Sequence, residues 1–219
     1  MGRDLRIRPI RDSDWPEIAA LEAVAYAGTS LAEGRAVLRS RGQASPATCF
    51  VLDVGERVTG YVLALPYPMF RSPDLARAEQ PAVHSRNLHL HDMVVAPDQR
   101  GRGLGSTLLH HLTRTAGSAY AHLSLIAVEG KATFWASRGF RVHEGIAVPP
   151  DYGDNAVYMS RALPAGRSTG SREVDVFPCP VSWTTSGARS WPSPPCSASS
   201  ASSTPPGPPG CPPSKRGWA

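Results

Sequence analysis

The chain has 219 residues and a formal net charge of +5 at pH 7, and 41% of its residues are hydrophobic. This length and composition are typical of one globular domain with a sizeable core. The charge is uneven, because residues 164–219 carry five basic and two acidic side chains and leave only +2 for the rest. So small an excess excludes an electrostatically driven nucleic-acid-binding surface, and we predict no nucleic-acid partner.

Residues 164–219 differ from the rest of the chain in composition. They hold 12 of the 22 prolines, 12 serines and three of the four cysteines. A segment so poor in Leu, Ile and Phe cannot bury enough apolar surface to offset the entropy lost on ordering. We therefore predict a folded domain over residues 1–163 and a disordered, Pro/Ser-rich, low-complexity tail over residues 164–219. The tail could serve as a linker, serve as an interaction segment, or be an artefact of the coding sequence.

The cysteine pattern and the apolar segments bear on the compartment. Cys49 is the only cysteine before residue 164, so no disulfide can form within the predicted domain. No segment approaches the roughly 20 apolar residues that span a bilayer, and the N-terminus lacks the apolar run of a signal peptide. We expect a cytoplasmic protein without a membrane partner. Its oligomeric state stays open, a homodimer included.

The hydrophobic pattern predicts strands and helices along residues 1–163. In chain order, these are a strand at 5–10, helices at 13–25 and 31–39, strands at 49–53, 58–65 and 88–95, a helix from 104 to 112, a strand at 122–128, a helix at 132–138, and strands at 140–142 and 157–160. Strands and helices interleaved in this order predict an α/β fold with helices layered on one mixed sheet.

The most specific pattern is a glycine-rich loop between a predicted strand and a predicted helix. Gly101, Gly103 and Gly105 alternate with larger residues, and Arg100 and Arg102 accompany them. The first N–H groups of a helix lack intrahelical partners and can converge on an anion, with the helix dipole adding to the attraction. Glycines let the anion approach the backbone closely. The loop is therefore predicted to cradle a pyrophosphate.

Two common phosphate loops do not fit this spacing. A P-loop requires a lysine after its last glycine, and none is present. A dinucleotide fingerprint requires Gly-x-Gly-x-x-Gly, whereas Ser106 stands where its third glycine would fall.

The segment from Val95 to Gly105 resembles the coenzyme A motif of the GNAT family of N-acetyltransferases, Arg/Gln-x-x-Gly-x-Gly/Ala after a strand. Residues 134–140, an aromatic pair followed by Gly-Phe, resemble that family's second motif. The resemblance covers about residues 5–163. It implies an enzyme, an acyltransferase that uses acetyl-CoA as co-substrate. It also implies a GNAT-like, mostly antiparallel sheet with two splayed central parallel strands, at 88–95 and 122–128.

The same resemblance implies which residues bind the cofactor. The backbone of Met93, Val94 and Val95 would pair with the pantetheine arm, and one N–H there would hold the thioester oxygen as it gains negative charge. The rest of the predicted cofactor site is the loop and the first helical residues, namely Arg100, Gly101, Arg102, Gly103, Leu104, Gly105 and Ser106.

A base is needed because an amine is mostly protonated at pH 7 and cannot attack a thioester in that form. His89 and His91 lie two residues apart on one predicted strand, and therefore on one face. They are similar to the paired proton-relay histidines of the arylalkylamine N-acetyltransferases. His91 is the first candidate for the base and His89 the second. Strict alternation turns Asp92 to the other face, but a β-bulge of the kind expected in this family would re-aim it, which makes Asp92 the alternative base.

A zinc site at His89 and His91 would need a third ligand on the same face, and none is close in sequence, so we predict no metal. Trp135 departs from the family, because many members carry there a tyrosine that protonates the leaving thiolate. Tyr152 and Tyr158 are possible substitutes for that acid.

The function predicted from the sequence is transfer of an acetyl group from acetyl-CoA to a primary amine, by direct attack on the thioester. The exposed-looking apolar residues Tyr67, Met69 and Phe70 favour a small-molecule amine. Two alternatives remain, a non-catalytic acyl-CoA-binding module and a peptide or protein N-terminal acetyltransferase.

Overall fold

The computed structural model describes residues 4–78, 84–117 and 119–164, which all belong to one compact unit, Met1–Ser171. Within them, seven strands form a single sheet: β1 (Leu5–Pro9), β2 (Phe50–Val54), β3 (Arg57–Pro66), β4 (Asn87–Val95), β5 (His122–Ala127), β6 (Arg141–Val142) and β7 (Val157–Ala162). Four α-helices flank it: α1 (Trp15–Ala25), α2 (Arg35–Ala44), α3 (Leu104–Ala116) and α4 (Ala132–Ala136). The predicted α/β fold is confirmed. Of the predicted tail, residues 165–219 lie outside the described residues, and the boundary after residue 163 stays a prediction.

The sheet has the strand order β1-β2-β3-β4-β5-β7-β6. Every neighbouring pair is antiparallel except β4 with β5, which are parallel. Helices cover both faces, and each face buries its own apolar cluster. Leu108 and Leu112 of α3 lie in one cluster, whereas Ile18 of α1 and Leu38 of α2 lie in the other. Within the described residues, no helix is long and apolar enough to cross a membrane.

The helix α2 begins four residues later than its predicted start and continues to Ala44. The reason is Gly34, which directly precedes the helix with a φ of +79°. That left-handed conformation interrupts a right-handed helix, so the chain cannot be helical across residue 34. The preceding residues form a loop, which brings Glu33 toward the sheet.

The two parallel strands diverge soon after they meet. They pair only where Asn87, Leu88 and His89 face His122, Leu123 and Ser124. Beyond His89, β4 continues to Val95 and β5 continues to Ala127 without pairing to each other. The predicted splay of the central strands is confirmed, and it opens the sheet at the end where the glycine loop follows β4.

A β-bulge interrupts β4 at the start of this splay. Leu63 of β3 faces Asp92, and the next residue, Ala64, faces Leu90, so His91 is the additional residue. The insertion changes the alternation of side chains along β4. Leu90 belongs to the apolar cluster on the α3 side, whereas Asp92 contacts tyrosines on the opposite side. The bulge therefore turns Asp92 toward the face covered by α1 and α2.

Candidate active site

A cavity of about 660 Å³ lies where β4 and β5 diverge. Its walls are the second half of β4, the glycine loop, the start of α3, the end of β5, the helix α4 and the end of α1. Eleven of the predicted site residues line it: His91, Asp92, Met93, Val94, Val95, Arg100, Gly101, Gly103, Leu104, Gly105 and Ser106. The other two, His89 and Arg102, are not among the lining residues. The fold thus gathers most of the predicted site around one space.

The glycine loop has the backbone geometry of an anion cradle. Gly101 and Gly103 have φ values of +77° and +79°, a region that favours glycine. Gly103 immediately precedes α3, and no side chain caps that helix. The N–H groups of the first turn are therefore available to a ligand in the cavity, with the positive end of the helix dipole behind them.

Gly105 occupies an ordinary helical position in the first turn of α3. A Cβ atom there would lie 3.8 Å from Cε of Met93 and 3.9 Å from Cγ2 of Val95, both ordinary contacts. The protein alone therefore accommodates a side chain at residue 105. A longer side chain would extend from the cavity wall, which makes this position a useful probe of ligand binding.

Positive charge near the cradle comes from three arginines. Arg100 donates a hydrogen bond to the carbonyl oxygen of Val95, whereas Arg102 donates to the side chain of Gln99. Arg138, which the sequence analysis did not select, lies 3.5 Å above the ring of Phe134. It lines the cavity and contacts Ser106 Oγ at 3.4 Å. Its position within the aromatic motif at 134–140 was the available sequence signal.

His89 lies in the protein interior. Its side chain contacts Ser124 Oγ through Nδ1 at 3.0 Å, and the residue is 1% exposed. Burial, assisted by the positive charges of His91 and Arg41, lowers the pKa of His89 to about 3. The imidazole is therefore neutral at physiological pH and lies behind the cavity wall.

His91 belongs to a buried ionic group. Its Nε2 contacts Glu33, and Nε of Arg41 donates to the same carboxylate at 2.7 Å. Burial acts to raise the pKa of Glu33, but the charges and hydrogen bonds of His91 and Arg41 together lower it below its usual range. Nδ1 of His91 is buried without a hydrogen-bond partner among the described residues.

Asp92 is held between two tyrosine hydroxyls. Tyr26 donates to one carboxylate oxygen at 2.7 Å, and Tyr61 donates to the other. Burial raises the pKa of Asp92, although both hydrogen bonds act in the opposite direction. A carboxylate whose pKa is raised by burial is a better proton acceptor than an ordinary exposed carboxylate.

Sequence reasoning missed four residues of this region: Tyr26, Glu33, Arg41 and Tyr61. Tyr26 is 66 residues from Asp92 in the chain, and Glu33 is 58 residues from His91. No motif links such distant positions. The one available signal was the unusual position of Arg41, a charged residue on the apolar face of α2 whose side chain is fully buried.

The residues considered as substitutes for the missing family tyrosine lie elsewhere. Trp135 is buried on the cavity wall, with its ring edge-on to Phe134 and Phe140. Tyr152 donates to the carbonyl oxygen of Pro73, and Tyr158 accepts from the backbone of Phe70. Neither of these two tyrosines is among the lining residues, whereas Tyr26 is.

Comparison with known proteins agrees with this architecture. Residues 11–140 match the model of the family described as the acetyltransferase (GNAT) family. Among similar solved structures, Ard1 from Thermoplasma volcanium has 17% identity and a TM-score of 0.58, and the match covers 73% of this chain and 98% of that one. The GphF GNAT-like decarboxylase in complex with isobutyryl-CoA has 21% identity and a TM-score of 0.60, with 73% of this chain and 100% of that one covered. The ribosomal-protein-S18-alanine N-acetyltransferase from Escherichia coli has 18% identity and a TM-score of 0.51, with 77% of this chain and 100% of that one covered. No curated protein matches the chain. At these identities the three structures indicate the fold alone.

Proposed function

The chain belongs to the GNAT family of acetyltransferases, and from this premise we propose that it transfers an acetyl group from acetyl-CoA to the nitrogen of a small primary amine. The observation that carries the proposal is the cavity between the splayed strands, because the glycine loop lies at its wall beside the polar bulge of β4. One space thus offers backbone donors for a pyrophosphate and ionisable groups for proton transfer. In the proposed reaction, the amine attacks the thioester directly.

The described residues fit acetyl-CoA, which would supply the activated acetyl group. The first turn of α3 and the backbone of Gly101–Ser106 would hold the pyrophosphate, with Arg100 and Arg138 adding positive charge. From Met93 to Val95, β4 pairs with β3 but not with β5, so the backbone groups on its β5 side face the gap between the two strands. These groups would bind the pantetheine arm, and an N–H among them would stabilise negative charge on the thioester oxygen. Arg102, in the same loop, would contribute charge at longer range.

Proton transfer is assigned to the bulge of β4. His91 and Asp92 line the cavity and are the two candidate acceptors there. His89 lies behind the wall, so it would act only through a neighbour. The acceptor takes one proton from the ammonium, and the neutral amine then attacks the thioester. As the N–C bond forms and the C–S bond breaks, the nitrogen loses a second proton and the sulfur of CoA gains one.

Acetyl-CoA binding is tested by thermal unfolding of the wild type, Gly105→Asp and Gly105→Ala. Each protein is measured with and without acetyl-CoA at about 100 times its Kd. Binding stabilises the fold by roughly 2.7 kcal/mol at this concentration, a rise in Tm of about 5–10 °C for a domain of this size. Gly105→Asp keeps the fold, because its carboxylate lies near a helix N-terminus, but it repels the pyrophosphate and abolishes the rise. Gly105→Ala is the matched control and retains it.

A rise that persists in Gly105→Asp contradicts the cradle. Turnover then separates an enzyme from a non-catalytic acyl-CoA-binding module, since both give the rise in Tm. Release of free CoA is measured with each of two acceptor substrates, 2-phenylethylamine and a short peptide that has a free N-terminus. Turnover of 2-phenylethylamine alone supports the small-amine proposal, and turnover of the peptide alone replaces it with peptide acetylation.

A further inference from the structure

The two tyrosines that bind Asp92 differ in their position relative to the cavity. Tyr61 lies in β3 with no exposed surface, inside the apolar cluster under α1 and α2. Tyr26 directly follows α1, is half-buried and lines the cavity. The two hydroxyls make similar hydrogen bonds, one to each carboxylate oxygen. Only one of them connects Asp92 to the space where a substrate would bind.

Asp92 has little surface of its own through which to receive a proton. The residue is 5% exposed, and each oxygen already accepts a hydrogen bond. A proton that reaches Asp92 from the cavity therefore passes most directly through the Tyr26 hydroxyl, which can accept one proton while donating another. Among the described residues that line the cavity, Tyr26 is the one phenol.

We propose that Tyr26 is a catalytic residue that relays a proton from the acceptor ammonium to Asp92. The inference rests on the proposed acetyl transfer. An N–H bond of the ammonium breaks as its proton moves to Tyr26 Oη, and the phenolic proton moves to Oδ1 of Asp92. The neutral amine then attacks the thioester, and its remaining excess proton leaves the nitrogen and ends on the CoA sulfur. Asp92 returns its proton to solvent through the same hydroxyl, so one proton is released per turnover.

The electrostatic surroundings suit this exchange. Burial raises the pKa of Tyr26 well above its usual value, so the phenol stays protonated, and burial also raises the pKa of Asp92, which makes its carboxylate a better proton acceptor. The charged and titratable groups that act on the pair come from every neighbouring element, namely Glu22 of α1, Glu33 before α2, Tyr61 of β3, His91 of β4 and Glu129 after β5.

The test compares Tyr26→Phe with Tyr61→Phe in the full chain. Each variant deletes one hydroxyl from Asp92, so a purely structural role predicts similar effects. With saturating acetyl-CoA and 2-phenylethylamine, Tyr26→Phe is expected to lower kcat by about 10²-fold or more, the usual range for loss of acid–base catalysis. Its rise in Tm with acetyl-CoA stays intact. Tyr61→Phe mainly shifts the acidic limb of the kcat–pH profile to higher pH, because it removes a hydrogen bond that lowers the pKa of Asp92.

Three outcomes overturn the relay. One is an equal loss of kcat in the two variants, and another is an unchanged kcat in Tyr26→Phe. The third is a low kcat in Tyr26→Phe accompanied by loss of the rise in Tm, which indicates a binding or folding defect. Failure of the proposed function is distinct from all three, because it is read in the wild-type protein, which then does not acetylate 2-phenylethylamine.

Discussion

The imidazole of His91 and the carboxylate of Glu33 form a pair in which both side chains are almost completely buried, at 1% and 4% exposure. Arg41, whose side chain has no exposed surface, binds the same carboxylate. The three residues come from β4, from the loop before α2 and from α2 itself. Because all three side chains are removed from water, the charge of the Glu33 carboxylate is compensated by the groups that bind it and not by solvent. The group therefore fixes the loop before α2 against the bulge of β4.

Removing the carboxylate should destabilise the domain strongly. Glu33→Gln removes the buried carboxylate that both Arg41 and His91 contact, and loss of one partner from a buried ion pair costs about 3–5 kcal/mol. We expect a decrease of this size in the free energy of unfolding at pH 7, measured by urea denaturation. Asp12→Asn is the control, since it removes the exposed pair between Asp12 and Arg39, whose side chains are 78% and 42% exposed. That change should stay within about 1 kcal/mol, and equal effects would refute the account.

The contribution of Glu33 should also depend on pH in a defined direction. Its pKa in the folded protein is below the ordinary value of 4.5, because His91 and Arg41 together outweigh the effect of burial. The unfolded chain therefore binds the proton first as the pH falls. The stabilisation is complete above pH 4.5 and decreases as the pH falls through the lowered folded-state value. Urea titrations at a series of pH values should show wild type and Glu33→Gln converging below pH 4.5, and a constant difference would argue against this cause.

His89 should make the free energy of unfolding depend on pH at higher pH values than Glu33 does. Its pKa falls from 6.5 to about 3 on folding, chiefly because of burial. Below pH 6.5 the unfolded chain is protonated there and the folded protein is not, so stability decreases as the pH falls. By pH 5 the loss amounts to roughly 2 kcal/mol. We expect His89→Gln to lose this part of the decline between pH 7.5 and 5, measured by urea denaturation.

A second variant tests the physical cause of this shift. Ser124→Ala removes the hydroxyl that contacts Nδ1 of His89 but leaves the imidazole buried. Because burial is the main cause, Ser124→Ala should keep the acid-induced decline of the wild type. A decline lost equally in Ser124→Ala and His89→Gln would instead assign the shift to the hydrogen bond.

The fold and the glycine loop before α3 could be predicted from the sequence, because the signals that specify them are local. The apolar stripe at Leu104, Leu108 and Leu112 specifies the buried face of α3, and two glycines with positive φ specify the turn before it. Such signals lie within about ten residues of each other. The splay of β4 and β5 came from the family resemblance, since nothing in the spacing of either strand indicates where their pairing ends.

The region to which we assign proton transfer was predictable only in part. The motif placed His91 and Asp92 at the site, but the orientation of Asp92 depends on a bulge that strict alternation does not contain. The partners Tyr26 and Glu33 are brought in by the packing of α1 and the loop before α2, at separations of 66 and 58 residues. These two contacts depend on tertiary packing, which cannot be inferred from the pattern of a single sequence.

Cys49 should be unreactive in the folded protein. The residue is 1% exposed, and burial raises the pKa of its thiol to about 12. A thiol reacts through its thiolate, which is scarce at pH 8 under these conditions. Maleimide labelling followed by peptide mapping should therefore modify the Cys49 peptide only after denaturant is added. Rapid labelling of that peptide in native buffer would contradict the burial of this side chain.

Trp135 should report cofactor binding by fluorescence. Trp135 belongs to α4 and its indole is buried on the wall of the cavity, so a ligand there changes its surroundings. Trp15 is the matched comparison, because it is equally buried but belongs to the apolar cluster on the opposite face of the sheet. Acetyl-CoA should change the emission of wild type and of Trp15→Phe, and Trp135→Phe should remove most of the change. If the change instead disappears only in Trp15→Phe, the ligand binds away from α4, and the cavity between β4 and β5 is not the acetyl-CoA site.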